Sequence, residues 1–306
     1  MDLLPTPEQD EIVGSIRAVL ADRHTVGEPM SPELWSTAAA QGWFGLGLSE
    51  DEGGVGYSVV EEALLCIELG RAAVPGPFLG TILASHVEDA ALRASVMAGE
   101  VPVAIAEREG DGVRVFDGVD DGYALLLDDG EVVRLGSLSV EPSLDHLIGL
   151  GTTDYVSTVT GGVDRDRSSL LIAATLAGIA TATAAQSVEY AQDREQFGQP
   201  IGGFQAVKHR CADMAVRAEA SLTQVHYAAL SLRDGAPDAT FHVEAAAVVA
   251  ARSAIENVEI NVQNHGGIGF TREHTAHRFV TRARILAALA GGVRRHQADL
   301  LAAPLA

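Results

Sequence analysis

Basic residues are scarce in the first half of this 306-residue chain. Residues 1–166 carry 30 Asp/Glu against 8 Lys/Arg, a charge of −22, whereas residues 167–306 carry 12 against 13, a charge of +1. An acidic first half argues against nucleic acid or an anionic membrane as partner, and leaves the nearly neutral second half as the place for phosphates. No run of eighteen apolar residues occurs, and the opening MDLLPTPEQDEIV has neither a basic n-region nor an apolar core. No membrane span or signal peptide is expected, and the expected compartment is the cytoplasm. Cysteine is limited to Cys66 and Cys211, far apart in apolar surroundings and without metal or redox spacing, so both read as buried thiols. His265, His274 and His277 lack the glutamate of a His-Glu-x-x-His arrangement, and no metal is expected. The glycines at 53, 54 and 56 are not followed by the Gly-Lys-Ser/Thr of a phosphate-binding loop.

With 47% hydrophobic and 21% charged residues, the chain reads as soluble and globular, and its length supports a sizeable core. Thr6-Pro7 opens a helix running to about residue 24, with Ile12, Ile16, Val19 and Leu20 on one stripe. Ser31-Pro32-Glu33 opens a second, ended by Gly42, and Ser58 can cap a third over Val59–Leu69. Between Val101 and Thr160 the pattern changes to short runs, VPVAIAE, GVRVF, GYALLLDD and EVVRLG, parted by Asp-Gly turns; these read as strands and hairpins. From Ser168 the helices are long. Ser168–Asp193 carries small residues on nearly every face, and Phe204, Val207, Cys211, Met214, Ala218, Leu222 and Val225 trace one apolar seam. A third long helix is expected from about Asp238 to Gln263, a fourth from near Thr271, and a last one ending near Ala303, together making an antiparallel helix bundle.

Two signatures stand in this helical half: Arg194-Glu-Gln-Phe197-Gly198 with Gln205 eleven positions after Arg194, and Gln263-Asn-His-Gly266-Gly267-Ile-Gly269. In this order and spacing they resemble the C-terminal helical domain of the acyl-CoA dehydrogenase family. The stretch from Gly42 through Gly56 to Glu68-Leu-Gly-Arg71 is similar to the family's N-terminal segment. The resemblance implies a mainly α fold with a small β domain: an N-terminal helical domain (1–100), a shortened β domain (101–162) and a C-terminal bundle (163–306). It also implies FAD. In homotetrameric members the adenine and pyrophosphate end of one subunit's FAD reaches these motifs on a neighbour, which assigns Arg194, Phe197, Gln205, Gln263, Gly266, Gly267 and Gly269 as cofactor-binding residues. The residue types suit that task, since a guanidinium forks two phosphate oxygens, an aromatic ring covers an apolar face, and glycine lets backbone N–H groups approach closely. Taken singly, each also has a plain structural reading, with Arg194 in a surface ion pair with Asp193 or Glu195, Phe197 in the core, and the glycines ending a helix.

The chain departs from the family where the chemistry is done. The resemblance calls for a Thr-Glu-Pro-(x)-Gly-Ser-Asp-like loop and a Gly-x-Lys-x-(Trp/Phe)-Ile-(Thr/Ser) hairpin to hold the flavin ring, and neither occurs between Glu100 and Gly162. The reaction needs a carboxylate to remove the proton α to the thioester, yet the family's two base positions fall on Ala290 and Ser168. The expectation is therefore a subunit without a catalytic residue of its own. It would complete the FAD site of a full-length catalytic partner in an α2β2 acyl-CoA dehydrogenase that desaturates an acyl-CoA held mainly by that partner. The run GFTREHTAHRF resembles the actinobacterial steroid-CoA subgroup, so a steroid side-chain CoA is the expected substrate class. Alternatives are a self-sufficient FAD-dependent dehydrogenase or monooxygenase, or a non-enzymatic scaffold. Asp164 and Asp166 are either a relocated base or charges that favour a helix N-terminus. Arg294, Arg295 and His296 either meet a phosphate or face acidic residues of the partner.

Overall fold

The computed structural model describes residues 3–110, 112–154 and 156–304. Its first segment is helical: α1 (Pro7–Arg23), α2 (Pro32–Ala40), α3 (Val59–Arg71), α4 (Phe78–Ala84) and α5 (Ala90–Met97). The first three begin where local chemistry starts them. Thr6 and Gln9 form a reciprocal capping box on α1, Ser31 caps α2 through Leu34 N–H, and Ser58 with Glu61 forms a second box on α3. In α3 every residue from Val59 to Gly70 is buried, including three glutamates. Each is paired: Glu61 accepts from Gln9 Nε2 at 2.7 Å, Glu68 takes two bonds of 2.8 Å from Arg17, and Glu62 meets His86 Nε2 at 2.6 Å and Arg167. Pairing is what makes a buried carboxylate tolerable.

The middle segment forms one seven-stranded mixed sheet from β1 (Val103–Glu109), β2 (Gly112–Phe116), β3 (Tyr123–Leu126), β4 (Glu131–Leu135), β5 (Ser139–Glu141), β6 (Leu150–Thr153) and β7 (Val156–Thr160), in the order β5-β6-β2-β1-β3-β4-β7. The four expected strands form, and β1 with β2 and β3 with β4 are antiparallel pairs. The expected series of consecutive hairpins is corrected at its centre: β3 does not pair with β2 but crosses over to lie parallel to β1, Val103 opposite Tyr123. Burial on both faces of the sheet drives the crossover, because alternate β1 residues feed different cores. Ile105 joins the helices' core, while Ala104 and Ala106 pack with Val115, Leu126 and Val133.

The last segment is the bundle: α6 (Arg165–Asp193), a short hairpin of β8 (Glu195–Gln196) and β9 (Gln199–Pro200), α7 (Gln205–Arg233), α8 (Ala239–His265), α9 (Ala276–Ala288) and α10 (Gly292–Ala302). The small residues of α6 let neighbours come close. A Cβ on Gly178 would stand 2.0 Å from Ile67 O, so α3 and α6 touch backbone to backbone. One apolar core runs through α3, α6, α7 and α8. At its centre the buried Asn257 of α8 donates to Ala180 O and Met214 O, both at 3.0 Å, tying three helices together. Among the described residues α6 is long and apolar enough to cross a membrane, but 78% of its most apolar stretch is buried inside the molecule, as suits a central core helix.

Candidate functional site

The first signature lies where α6 ends. Arg194 leaves the helix in an extended conformation, its N–H donating to Tyr190 O at 2.9 Å, and the chain then turns through Phe197 (φ 55°) and Gly198 (φ 83°) between β8 and β9. Two central residues with positive φ suit a two-residue hairpin, and glycine accepts that geometry freely. For a bulky aromatic it is an outlier. The Phe197 side chain is 92% exposed and meets the edge of Phe204, with ring centroids 6.0 Å apart. Phe204 precedes α7, whose first residue, Gln205, is exposed and hydrogen-bonds His209 at 3.1 Å. Arg194 is exposed, and no ion pair or hydrogen bond engages its side chain among the described residues. The ion pair with Asp193 or Glu195 does not form, and Phe197 is not in the core.

The second signature closes the same end of the bundle. Gln263 is exposed on the last turn of α8, and Gly266 (φ 61°, ψ −137°) terminates the helix. A Cβ on Gly266 or Gly267 would enter open space, whereas one on Gly269 would stand 2.7 Å from Val262 O. The loop therefore packs at Gly269 and faces outward at Gly266 and Gly267. Just before it the buried His265 stacks on Tyr190 at 4.2 Å, donates from Nδ1 to Asn261 O at 2.8 Å, and lies 4.2 Å from the His274 ring. Burial lowers the affinity of His265 and His274 for a proton, which favours the neutral rings that stack. These histidines are spent on packing. Since Tyr190 is one turn from Arg194 and His265 adjoins Gly266, the two signatures lie at the same end of the bundle. Beside them is a groove of about 330 Å³ lined by Gln186, Glu189, Tyr190, Asp193, His265 and His274, a lining that includes neither Arg194 nor Gly266.

Of the two base positions, Ser168 lies at the opposite end of α6. Ser168 is buried in the first turn of α6 and donates to Asp164 O at 3.2 Å. Twenty-six residues of helix separate it from Arg194, about 39 Å at 1.5 Å per residue. Ala290 is buried in a left-handed conformation between α9 and α10, and its N–H donates to Glu107 Oε1 of β1 at 2.7 Å. Burial pushes the Glu107 carboxyl up, and the N–H groups of Ala290 and Gly291 hold it back. The sheet is thus latched onto the loop where the family base would stand. The cavity beside it, walled by Leu286, Leu289, Ile105, Phe116 and Arg282, holds only about 70 Å³. Arg282 and Asp145 form a buried pair of 2.9 Å against it, with Arg282 also donating to Val74 O at 2.5 Å. Nothing in the sequence around Glu107, Asp145 or Arg282 marks them out, because each acts across more than a hundred residues.

The secondary candidates at this end take internal roles. Asp164 is the N-cap of α6, accepting from Asp166 N–H at 3.0 Å, and Asp166 accepts from Thr240 Oγ1 at 2.5 Å. Of the basic cluster, Arg295 pairs with Asp128 at 2.6 Å and the buried His296 with Glu244 at 2.6 Å, so neither is free for a phosphate. Arg294 alone is exposed.

Residues 163–305 match the acyl-CoA dehydrogenase C-terminal domain, and residues 6–90 match the N-terminal domain. The chain is 35% identical over 291 residues to acyl-CoA dehydrogenase FadE34 of Mycobacterium tuberculosis, spanning 86% of this chain but 40% of that protein. It is 32% identical over 311 residues to acyl-CoA dehydrogenase IpdE2 of Mycolicibacterium smegmatis, spanning 94% of this chain and 96% of the relative. In fold it is similar to a chain of the ChsE4-ChsE5 complex from Mycobacterium tuberculosis, with a TM-score of 0.81, 22% identity and 100% of both chains covered. The two domain matches and the full-length likeness to IpdE2 agree with the helix–sheet–bundle order, and the chain belongs to the acyl-CoA dehydrogenase family of flavoprotein oxidoreductases.

Proposed function

We propose that this chain is the supporting subunit of a heteromeric, FAD-dependent acyl-CoA dehydrogenase, with two copies joined to two full-length catalytic subunits, and that the enzyme desaturates a steroid side-chain CoA thioester. Bound FAD supplies the hydride acceptor for that desaturation. This chain's part is to hold the far end of the cofactor. Arg194, exposed and with no side-chain partner among the described residues, is free to fork phosphate oxygens; Gln205 and Gln263 supply amide hydrogen bonds; the lack of side chains at the outward-facing Gly266 and Gly267 lets the cofactor approach the backbone closely; and Phe197 covers an apolar face. Gly269 keeps that loop seated on α8.

The observation that carries this reading is the contrast between the two ends of α6. One end presents exposed cofactor-type residues to the outside, with the Arg194 side chain unpaired among the described residues. The other begins at Ser168, about 39 Å away, where no carboxylate stands, and position 290 is alanine, its loop latched by Glu107 beside a cavity of about 70 Å³. That separation exceeds an extended dinucleotide, which argues against a cofactor held at Arg194 placing its flavin ring at Ser168 of the same chain. The similarity to a chain of a two-component complex supports the heteromeric arrangement, and the two buried free thiols, Cys66 and Cys211, suit a reducing cytoplasm.

The test is expression alone and together with a catalytic acyl-CoA dehydrogenase partner, followed by a flavin absorbance spectrum, a subunit count by native mass spectrometry and turnover of steroid side-chain CoA thioesters. Alone, the chain should be colourless and inactive; the co-purified complex should carry FAD and be active. Stoichiometric FAD with dehydrogenase activity in the chain purified by itself would sink the proposal.

A further inference from the structure

Away from the bundle, a cleft of about 400 Å³ opens between α2, the segment before α4 and the ends of β1, β2 and β3. Its size falls within the range of small-molecule sites, about 300–1,000 Å³. The walls are mostly apolar, built from Met30, Pro32, Trp35, Pro77, Pro102 and Val119. Three of these are prolines, which have no N–H. The Trp35 indole N–H is taken by Gly99 O at 2.9 Å, whereas the Tyr123 hydroxyl accepts from Arg134 Nη1 at 3.1 Å and keeps its own O–H to donate. The side chains therefore present no free N–H, and the Tyr123 O–H is the donor that the wall keeps.

The carboxylate in the lining is that of Asp117. Asp117 lies where this cleft adjoins the small cavity beside Arg282 and lines both. Its backbone is left-handed (φ 59°), and its carboxylate accepts from Gly149 N–H at 2.8 Å and from Gly76 N–H. A carboxylate has about four acceptor positions, so capacity remains. Arg282, the nearby cation, is already paired with Asp145. Donor counting then selects the ligand. A hydroxyl brings one donor and finds one acceptor. A primary ammonium brings three, and leaving any unsatisfied in an apolar cleft is costly.

We propose that this cleft is a binding site for a neutral, apolar, ring-containing molecule carrying a hydroxyl group, which enters past Val119 and donates its hydroxyl hydrogen bond to Asp117. Asp117 acts as the selector between alcohols and their donor-free analogues, and the proline-lined wall supplies shape. This site is separate from the cofactor groups at the end of the bundle and does not depend on them.

The test is calorimetric titration of the full chain with three probes, 2-naphthol, 2-methoxynaphthalene and 2-naphthylmethylamine, with Trp35 fluorescence as a second readout. The expected result is that 2-naphthol binds at least about tenfold more tightly than the other two. Asp117→Ala should bring 2-naphthol to parity with 2-methoxynaphthalene, and Asp117→Asn, which keeps an acceptor and tolerates the left-handed backbone, should reduce the preference without removing it. Val119→Trp, a change at an exposed position that fills the mouth, should weaken 2-naphthol at least tenfold whether or not the Asp117→Ala variant folds. Equal binding of the alcohol and the ether, a preference that survives Asp117→Ala, tighter binding of the amine, or indifference to Val119→Trp would each overturn the proposal.

Discussion

Replacing Arg194 with alanine separates a cofactor role from a structural one, because the structure gives this side chain nothing to do within its own chain. It is exposed, it follows the last turn of α6, and no side-chain bond holds it among the described residues. Stability should therefore change by no more than about 0.5 kcal/mol, the usual range for a surface substitution away from any cap or pair. In the assembled heteromer the outcome should differ. Hydrogen bonds between a guanidinium and phosphate oxygens are charge-assisted, and losing them costs about 1.5–3 kcal/mol, equivalent to a roughly ten- to 150-fold weaker Kd for FAD. The assay is FAD affinity of the reconstituted complex, by flavin fluorescence after removal and titration back, alongside thermal unfolding of the isolated subunit. Arg233→Ala is the control, since Arg233 sits at the far end of α7 and pairs with Asp234 at 2.7 Å. It should leave FAD affinity unchanged. If Arg194→Ala retains FAD as the unsubstituted complex does, the assignment of this end of the bundle to the cofactor fails, and an assembly-only role is favoured.

Two further outcomes follow from buried charges. Arg282→Met leaves Asp145 buried without its partner and removes the donor to Val74 O; breaking such a pair costs about 3–5 kcal/mol. The midpoint of thermal unfolding should fall by on the order of ten degrees, with part of the loss recovered in the Arg282→Met/Asp145→Asn double variant, and a fall of a degree or two would contradict the buried pairing. Burial raises the Asp117 carboxyl from 3.8 to about 6. A carboxyl raised in the fold stabilises it most below the unfolded value and progressively less as pH rises through the folded one. Between pH 4 and 7 this group should therefore cost about 1–3 kcal/mol of stability. Urea unfolding at pH 4.5 and pH 7 should show Asp117→Asn gaining relative to the unsubstituted chain as pH rises, and a difference that stays constant across that range would refute the burial of this charge.

The local starts and stops of the chain were legible in its sequence. Thr6, Ser31 and Ser58 cap helices through contacts two or three residues away, and the spacing of Cys211, Met214, Ala218 and Val225 fixes the buried face of α7. The motif residues were legible too, as residue types rather than as a place: a turn at Phe197-Gly198 and a helix stop at Gly266 follow from backbone preferences of one or two residues. Less was legible where signals are short or pairing is distant. The helices α4 and α5 and the strands β5, β6 and β7 are too brief to carry a period, and the parallel partnership of β1 with β3 depends on which faces the two cores cover.

Sequence by itself determined the family, the order of helices, sheet and bundle, and the absence of a carboxylate at positions 168 and 290. Only the tertiary structure decided that the ends of α6 and α8 that carry Arg194 and Gly266 come together through Tyr190 and His265, that Ser168 lies a helix length away, and that Glu107 latches the loop at Ala290 from 183 residues distant. It also brought Asp117 to the proline-walled cleft. The physical reason is one of range. Caps, turns and helical periods are set by neighbours along the chain, whereas a cavity, a buried ion pair or a latch exists only once apolar burial has brought distant segments together and forced each polar group among them to find its partner.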